Sequence, residues 1–115
     1  MAQLIAHAEI PVKDIDKAKA FYEQLFGWEF RPFGNGYLLF NNHKGITIGL
    51  KKVDEIQSGN TTIFHINIKE IEKYLDKAKE LGGKEVRAKT IIPAMGYYAL
   101  VGDLDGNTIG LFQTN

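Results

Sequence analysis

Residues 45–50 read Gly-Ile-Thr-Ile-Gly-Leu, and residues 106–111 read Gly-Asn-Thr-Ile-Gly-Leu, a match at five of six positions with an offset of 106 − 45 = 61. A second echo lies upstream of each copy. Leu4-Ile5-Ala6-His7-Ala8-Glu9-Ile10 corresponds to Thr62-Ile63-Phe64-His65-Ile66-Asn67-Ile68, with an offset of 65 − 7 = 58. Two echoes in the same order with similar spacing mark an internal duplication, and a few loop residues absorb the difference of three.

The same pattern runs between the echoes in both halves. Residues 4–12 alternate and are rich in branched side chains, as a strand requires. From Asp14 to Leu25 the period changes to helical, with Ile15, Ala18, Phe21, Tyr22 and Leu25 on one face and Lys17, Lys19, Glu23 and Gln24 on the other. Asp14 is the expected N-cap and Gly27 the stop. Short strands are expected near 28–32, 37–41 and 46–51, the first two joined by an Asn35-Gly36 hairpin turn. In the second half a strand at 61–68 leads to a helix from about Lys69 to Leu81, closed by Gly82-Gly83. Strands follow near 85–91, 97–101 and 107–113, the last entered through Asp105-Gly106. The reading is an α+β fold. Two tandem βαβββ modules, about 1–52 and 61–115, are joined by a linker at about 53–60 containing Ser58-Gly59-Asn60. Together they make one 115-residue domain in which a curved, mixed eight-stranded sheet forms a cup or open barrel with its helices outside.

Composition narrows the function classes. Lys+Arg and Asp+Glu both number 14, and this balance argues against nucleic acid or an anionic membrane as the main partner. With no cysteine there are no disulfides, thiolate metal sites or cysteine nucleophiles. Met1 to His7 has neither the basic start nor the apolar run of a signal peptide, and no stretch is long enough to span a bilayer, so the expected setting is cytoplasmic.

Alternation separates the strand faces. Ala6, Ala8 and Ile10 can meet a helix, which leaves His7 and Glu9 opposite; Phe64, Ile66 and Ile68 likewise leave His65 and Asn67 opposite. In the glycine strands, Thr47, Gly49 and Lys51 share one face, as do Thr108, Gly110 and Phe112. The cup interior therefore collects His7, Glu9, Thr47, His65, Asn67 and Thr108, more polarity than a dry core accepts without partners. A solvated or ligand-filled pocket follows, with the aromatics Trp28, Phe30, Tyr97, Tyr98 and Phe112 as further candidates for its lining. The plainer alternative is that the histidines are hydrogen-bonded structural residues and that the glycines relieve crowding. Gly34-x-Gly36 lacks the context of a dinucleotide motif, Ser58 has no evident base, and His43 falls in a polar turn facing water.

Several of these stretches also carry a family resemblance. His7-x-Glu9-Ile-Pro-Val, Asp14-x-Asp16, Ala20-Phe21-Tyr22 and Leu25-Phe26-Gly27-Trp28 resemble the opening of vicinal oxygen chelate domains. That superfamily includes glyoxalase I, bleomycin-resistance proteins and extradiol dioxygenases. Asp103-Leu-Asp105-Gly106-Asn107-Thr-Ile-Gly110-Leu111 resembles their last strand, and Pro93-x-x-Gly96-Tyr97 is similar to the small glyoxalase-like branch. The resemblance covers nearly the whole chain and implies a homodimer. It also implies metal ligands at four strand positions, which fall on His7, Gly49, His65 and Gly110.

Both expected carboxylates are thus glycine. Two imidazoles leave a divalent ion (zinc, nickel, manganese or iron) short of its usual ligands, so the expectation is a pocket without a metal cofactor. The missing carboxylates also remove the base of a standard lactoylglutathione lyase. Three functions compete. The first is a small-molecule binder of the bleomycin-resistance kind. The second is a metal-dependent lyase, isomerase or dioxygenase using His7 and His65. The third is a metal-free enzyme in which Glu9 and His7 act as an acid–base pair, Glu9 being catalytic.

Overall fold

The computed structural model describes residues 6–41, 45–56 and 63–114. Leu4, Ile5, His43, the Ser58-Gly59-Asn60 segment and Thr62 lie outside the described residues. The chain divides into two compact units, Met1–Ile56 and Gln57–Asn115. In order, the elements of the first are β1 (His7–Val12), α1 (Ile15–Phe26), β2 (Arg31–Pro32), β3 (Tyr37–Asn41) and β4 (Thr47–Lys52). Those of the second are β5 (His65–Asn67), α2 (Ile71–Glu80), β6 (Lys84–Ile92), β7 (Gly96–Gly102) and β8 (Thr108–Thr114). The eight strands form two open, mixed four-stranded sheets, ordered β1-β4-β3-β2 and β5-β8-β7-β6. Each is a βαβββ module with one parallel pair, β1 with β4 or β5 with β8.

In the first unit, Asp14 caps α1 by accepting a hydrogen bond from the Lys17 N–H at 3.1 Å. Gly27 ends the helix in the left-handed conformation at φ 75°, its N–H bonded to the Glu23 carbonyl. Ala18, Phe21, Tyr22 and Leu25 are buried, as are Ile10, Val12, Ile48 and Leu50 from the strands, so the helix-facing alternation is realised in side-chain burial. Trp28, a candidate for the pocket lining from sequence, instead extends this core by stacking on Tyr22 (ring centroids 5.6 Å apart) and on Phe40 (5.7 Å), with Phe30 buried beside it. The Glu23 carboxylate fastens the segment after the helix by accepting from the Phe30 N–H and from Lys19 Nζ, each at 3.0 Å.

In the second unit, Ile71, Leu75 and Ala78 of α2 are buried, as are Ala99 and Val101 of β7 and Ile109 and Leu111 of β8. Glu70 makes no side-chain cap, and the Ile71 N–H is instead satisfied by Gln113 Oε1 of β8 at 2.9 Å. Between β7 and β8, buried Asp103 organises the turn. It accepts from the backbone N–H groups of Asp105 (2.9 Å) and Asn107 (2.8 Å) and from Asn107 Nδ2 (2.9 Å). No helix among the described residues is long and apolar enough to cross a membrane.

Candidate functional site

In the first sheet the register lines up three rows across the strands: His7, Thr47 and Asn41; Glu9, Gly49, Leu39 and Arg31; and Pro11, Lys51 and Tyr37. Paired residues share a face, so these side chains lie opposite the buried helix-facing set. At their centre is Tyr37, whose hydroxyl is 2.7 Å from His7 Nε2 and donates to Glu9 Oε1 at 3.0 Å. His7 Nδ1 is 2.6 Å from Thr47 Oγ1. The cluster is therefore a hydrogen-bonded chain, Thr47–His7–Tyr37–Glu9, with both His7 and Glu9 exposed.

Counting protons orients this chain. The one hydroxyl proton of Tyr37 is donated in a hydrogen bond to the Glu9 carboxylate, so His7 Nε2 must carry a hydrogen and donate to the phenol oxygen. A neutral His7 then accepts from Thr47 at Nδ1. An imidazolium donates there instead, and the Thr47 hydroxyl donates its hydrogen bond to the Ala6 carbonyl, 3.4 Å away. Burial, and then the Glu9 carboxylate that holds its proton, push the Tyr37 phenol above its ordinary pKa.

Gly49 makes the arrangement sterically feasible. A Cβ there would run into the Tyr37 hydroxyl and lie 2.7 Å from Tyr37 Cε1, so the phenol occupies the space a side chain would take. The second unit repeats the device: a Cβ on Gly110 would collide with the ring of His65, its Nε2 being 2.6 Å away. Both glycines, placed by the resemblance at carboxylate ligand positions, are seats for a neighbouring ring. Tyr37 is the central residue that the sequence reading did not single out.

The second sheet requires two corrections. His65 pairs with Gly110, whereas in the first sheet it is Glu9 that pairs with Gly49 and His7 that pairs with Thr47. His65 is thus the register counterpart of Glu9, and carrying the register back two residues sets Ile63, not His65, at the place equivalent to His7. Tyr97 pairs with Gln113, whose side chain reaches the start of α2, so Tyr97 lies on the helix-facing side. Its neighbour Tyr98 pairs with Phe112, which in turn pairs with Asn67, and shares their face. His65 approaches Tyr98 edge-on at 6.4 Å between centroids, with Arg87 Cζ 5.9 Å from the centre of the same ring. Thr108 is half-buried on that face, opposite Gly102.

These residues do not fit the metal that the resemblance implies. Gly49 and Gly110 offer no donor atom, which leaves His7 and His65 as the ligands of the four implied positions, fewer than a divalent ion ordinarily takes. Among the described residues no three His, Cys, Asp or Glu side chains come together in a way that could hold a metal ion.

The Glyoxalase/Bleomycin resistance protein/Dioxygenase superfamily model matches residues 4–111. The chain belongs to this superfamily. A "Glyoxylase-like domain-containing protein" of Didymella fabae is 26% identical over 114 residues, spanning 90% of this chain and 88% of the relative. Among solved structures, a superfamily enzyme from Burkholderia phytofirmans PsJN aligns with a TM-score of 0.84 at 16% identity, covering 98% of this chain and 100% of that one. The fosfomycin resistance protein FosX of Listeria monocytogenes, in its complex with Mn(II) and 1S,2S-dihydroxypropylphosphonic acid, aligns with a TM-score of 0.81 at 21% identity, covering 100% and 93%. At these identities the structural matches establish the vicinal oxygen chelate fold alone.

Proposed function

We propose that this superfamily member binds a small oxygenated molecule without a metal, using the face of the first sheet built on His7, Tyr37, Glu9 and Thr47. One observation carries the reading: the Tyr37 hydroxyl sits over Gly49 within hydrogen-bonding distance of both His7 and Glu9. The chain, exposed at His7 and Glu9 and half-buried at Tyr37 and Thr47, can exchange its internal hydrogen bonds for bonds to a carbonyl or hydroxyl oxygen without ordering new side chains, which keeps the cost of binding low. That a relative such as FosX is described in complex with a small phosphonic acid supports the binding of a small molecule by this fold. His65, Asn67, Thr108 and Phe112 belong to the proposal as a ligand-facing surface of the second unit. The homodimer and the cytoplasmic setting, implied by resemblance and composition, are part of it too.

A second reading is favoured by the same bridge. Tyr37 links His7 to Glu9 through two hydrogen bonds, so a proton accepted at one end of the chain can be matched by one released at the other. This is the acid–base pair of the sequence reading with a phenol inserted between its members.

A thermal-shift screen of small oxygenated compounds, run on chelator-treated protein and on Tyr37→Phe, tests the first reading. Stabilisation that survives the chelator and disappears in Tyr37→Phe is expected. Stabilisation that requires added metal, or that is unchanged in Tyr37→Phe, would overturn it.

A further inference from the structure

Beyond the four-residue chain, the same face of the first sheet continues to the β2 edge. The row Glu9–Gly49–Leu39–Arg31 crosses all four strands. At about 4.8 Å per strand, Arg31 stands roughly 10 Å from Gly49 and roughly 14 Å from Glu9. A cleft of about 700 Å³ opens at this edge, with Arg31, Phe33, Leu39, Asn41 and Glu29 in its lining. That volume suits a small organic molecule.

Arg31 is exposed, and among the described residues its guanidinium makes no ion pair, hydrogen bond or ring contact. The second unit has the same row, His65–Gly110–Leu100–Arg87, and there the arginine, also exposed, has the Tyr98 ring as a partner, its Cζ 5.9 Å from the ring centroid. Arg31 has Phe33 two residues away instead, and Phe33 is 64% exposed and turns its ring edge-on to Tyr37 at 6.2 Å. The duplicated cation thus has an aromatic partner in one unit and, in the other, none among the described residues, although an exposed aromatic ring stands two residues away. An unpaired guanidinium is a planar, two-pronged donor suited to a carboxylate or phosphate. Glu29, the acidic side chain in the same cleft, works against a dianion and so favours a carboxylate.

We infer that Arg31 is an anion subsite, and that the ligand of this face is a small organic carboxylate with its charged group on Arg31, its apolar body over Leu39 and Phe33, and an oxygen at the far end reaching Tyr37. This rests on the proposed function above and names the ligand class for it.

Amide NMR titrations of the intact chain test the inference with three probes: 4-hydroxyphenylacetate, its neutral amide 4-hydroxyphenylacetamide, and phenyl phosphate. The carboxylate should shift the amides of Arg31, Phe33 and Leu39 and lose affinity about tenfold or more in Arg31→Gln, an exposed substitution whose fold the same spectra verify. The neutral amide should bind more weakly and be indifferent to Arg31→Gln. No shift with any probe up to millimolar concentration, equal affinity for acid and amide, or an unchanged carboxylate affinity in Arg31→Gln would each overturn the subsite. Tighter binding of phenyl phosphate than of the carboxylate would overturn the carboxylate assignment. The two claims fail separately. Binding lost in Tyr37→Phe but kept in Arg31→Gln leaves the proposed function standing alone, whereas the reverse leaves the anion subsite without the Tyr37-centred reading.

Discussion

Substituting Gly49 by alanine tests whether that glycine exists to seat Tyr37. The new Cβ would collide with the phenol, so the ring must swing away and release its hydroxyl from His7 and Glu9. A neutral hydrogen bond contributes about 0.5–1.5 kcal/mol net and a charge-assisted one about 1.5–3 kcal/mol. Because His7 and Glu9 are exposed, water recovers part of both, and the loss should be about 1–3 kcal/mol. Against this, alanine restricts the unfolded chain and gains about 0.5–1 kcal/mol over glycine in a strand. Gly49→Ala should therefore destabilise by about 0.5–2 kcal/mol. In a Tyr37→Ala background the collision is gone and the same change should stabilise by about 0.5–1 kcal/mol. Urea denaturation of the four proteins, followed by Trp28 fluorescence, measures the coupling as a double-mutant cycle, with an expected value of about 1–3 kcal/mol. An identical effect of Gly49→Ala in both backgrounds would refute the reasoning.

Two further predictions concern the scaffold. Asp103→Ala removes three hydrogen bonds from a buried carboxylate and should cost about 2–4 kcal/mol in the same denaturation assay; a loss below about 0.5 kcal/mol would show that the turn is organised by other means. Glu23 is held below its ordinary pKa of 4.5, first by the Phe30 N–H and then by Lys19. A lowered carboxylate favours the fold in its ionised form, so the stabilisation is full above pH 4.5 and fades as the pH falls through the folded-state value. The melting-temperature gap between wild type and Glu23→Gln should accordingly be constant near neutrality and shrink on acidification, and a gap independent of pH would contradict that assignment.

Much of this molecule could be read before its structure was in hand, and the parts that could not share a cause. Asp14 and Gly27 declare α1 through local chemistry, and the βαβββ order follows from changes of hydrophobic period, both properties of residues near one another in the chain. Strand register is different, because hydrogen bonds between distant segments set it. Sliding a strand by two residues leaves every side chain on the same face, so alternation cannot detect it. The matching histidines of the two echoes therefore pointed to an equivalence of His7 with His65 that the pairing of His65 with Gly110 replaces with Glu9. Parity fails in another way at Tyr97-Tyr98, where two adjacent rings of one type give no cue to which faces the helix. Tyr37 was hidden for a similar reason: β3 reads Tyr-Leu-Leu-Phe-Asn, apolar on both faces. Its role emerges only when β3 and β4 are paired and the hydroxyl is found above Gly49.

The central claim is that a phenol, and not a metal ion, engages His7. Elemental analysis of purified, tag-free protein before and after loading with zinc, nickel, manganese and iron tests it most directly. The account predicts protein that stays far below stoichiometric metal after loading, in wild type and in His65→Ala alike. Near-stoichiometric metal that is lost in His7→Ala or His65→Ala would contradict it.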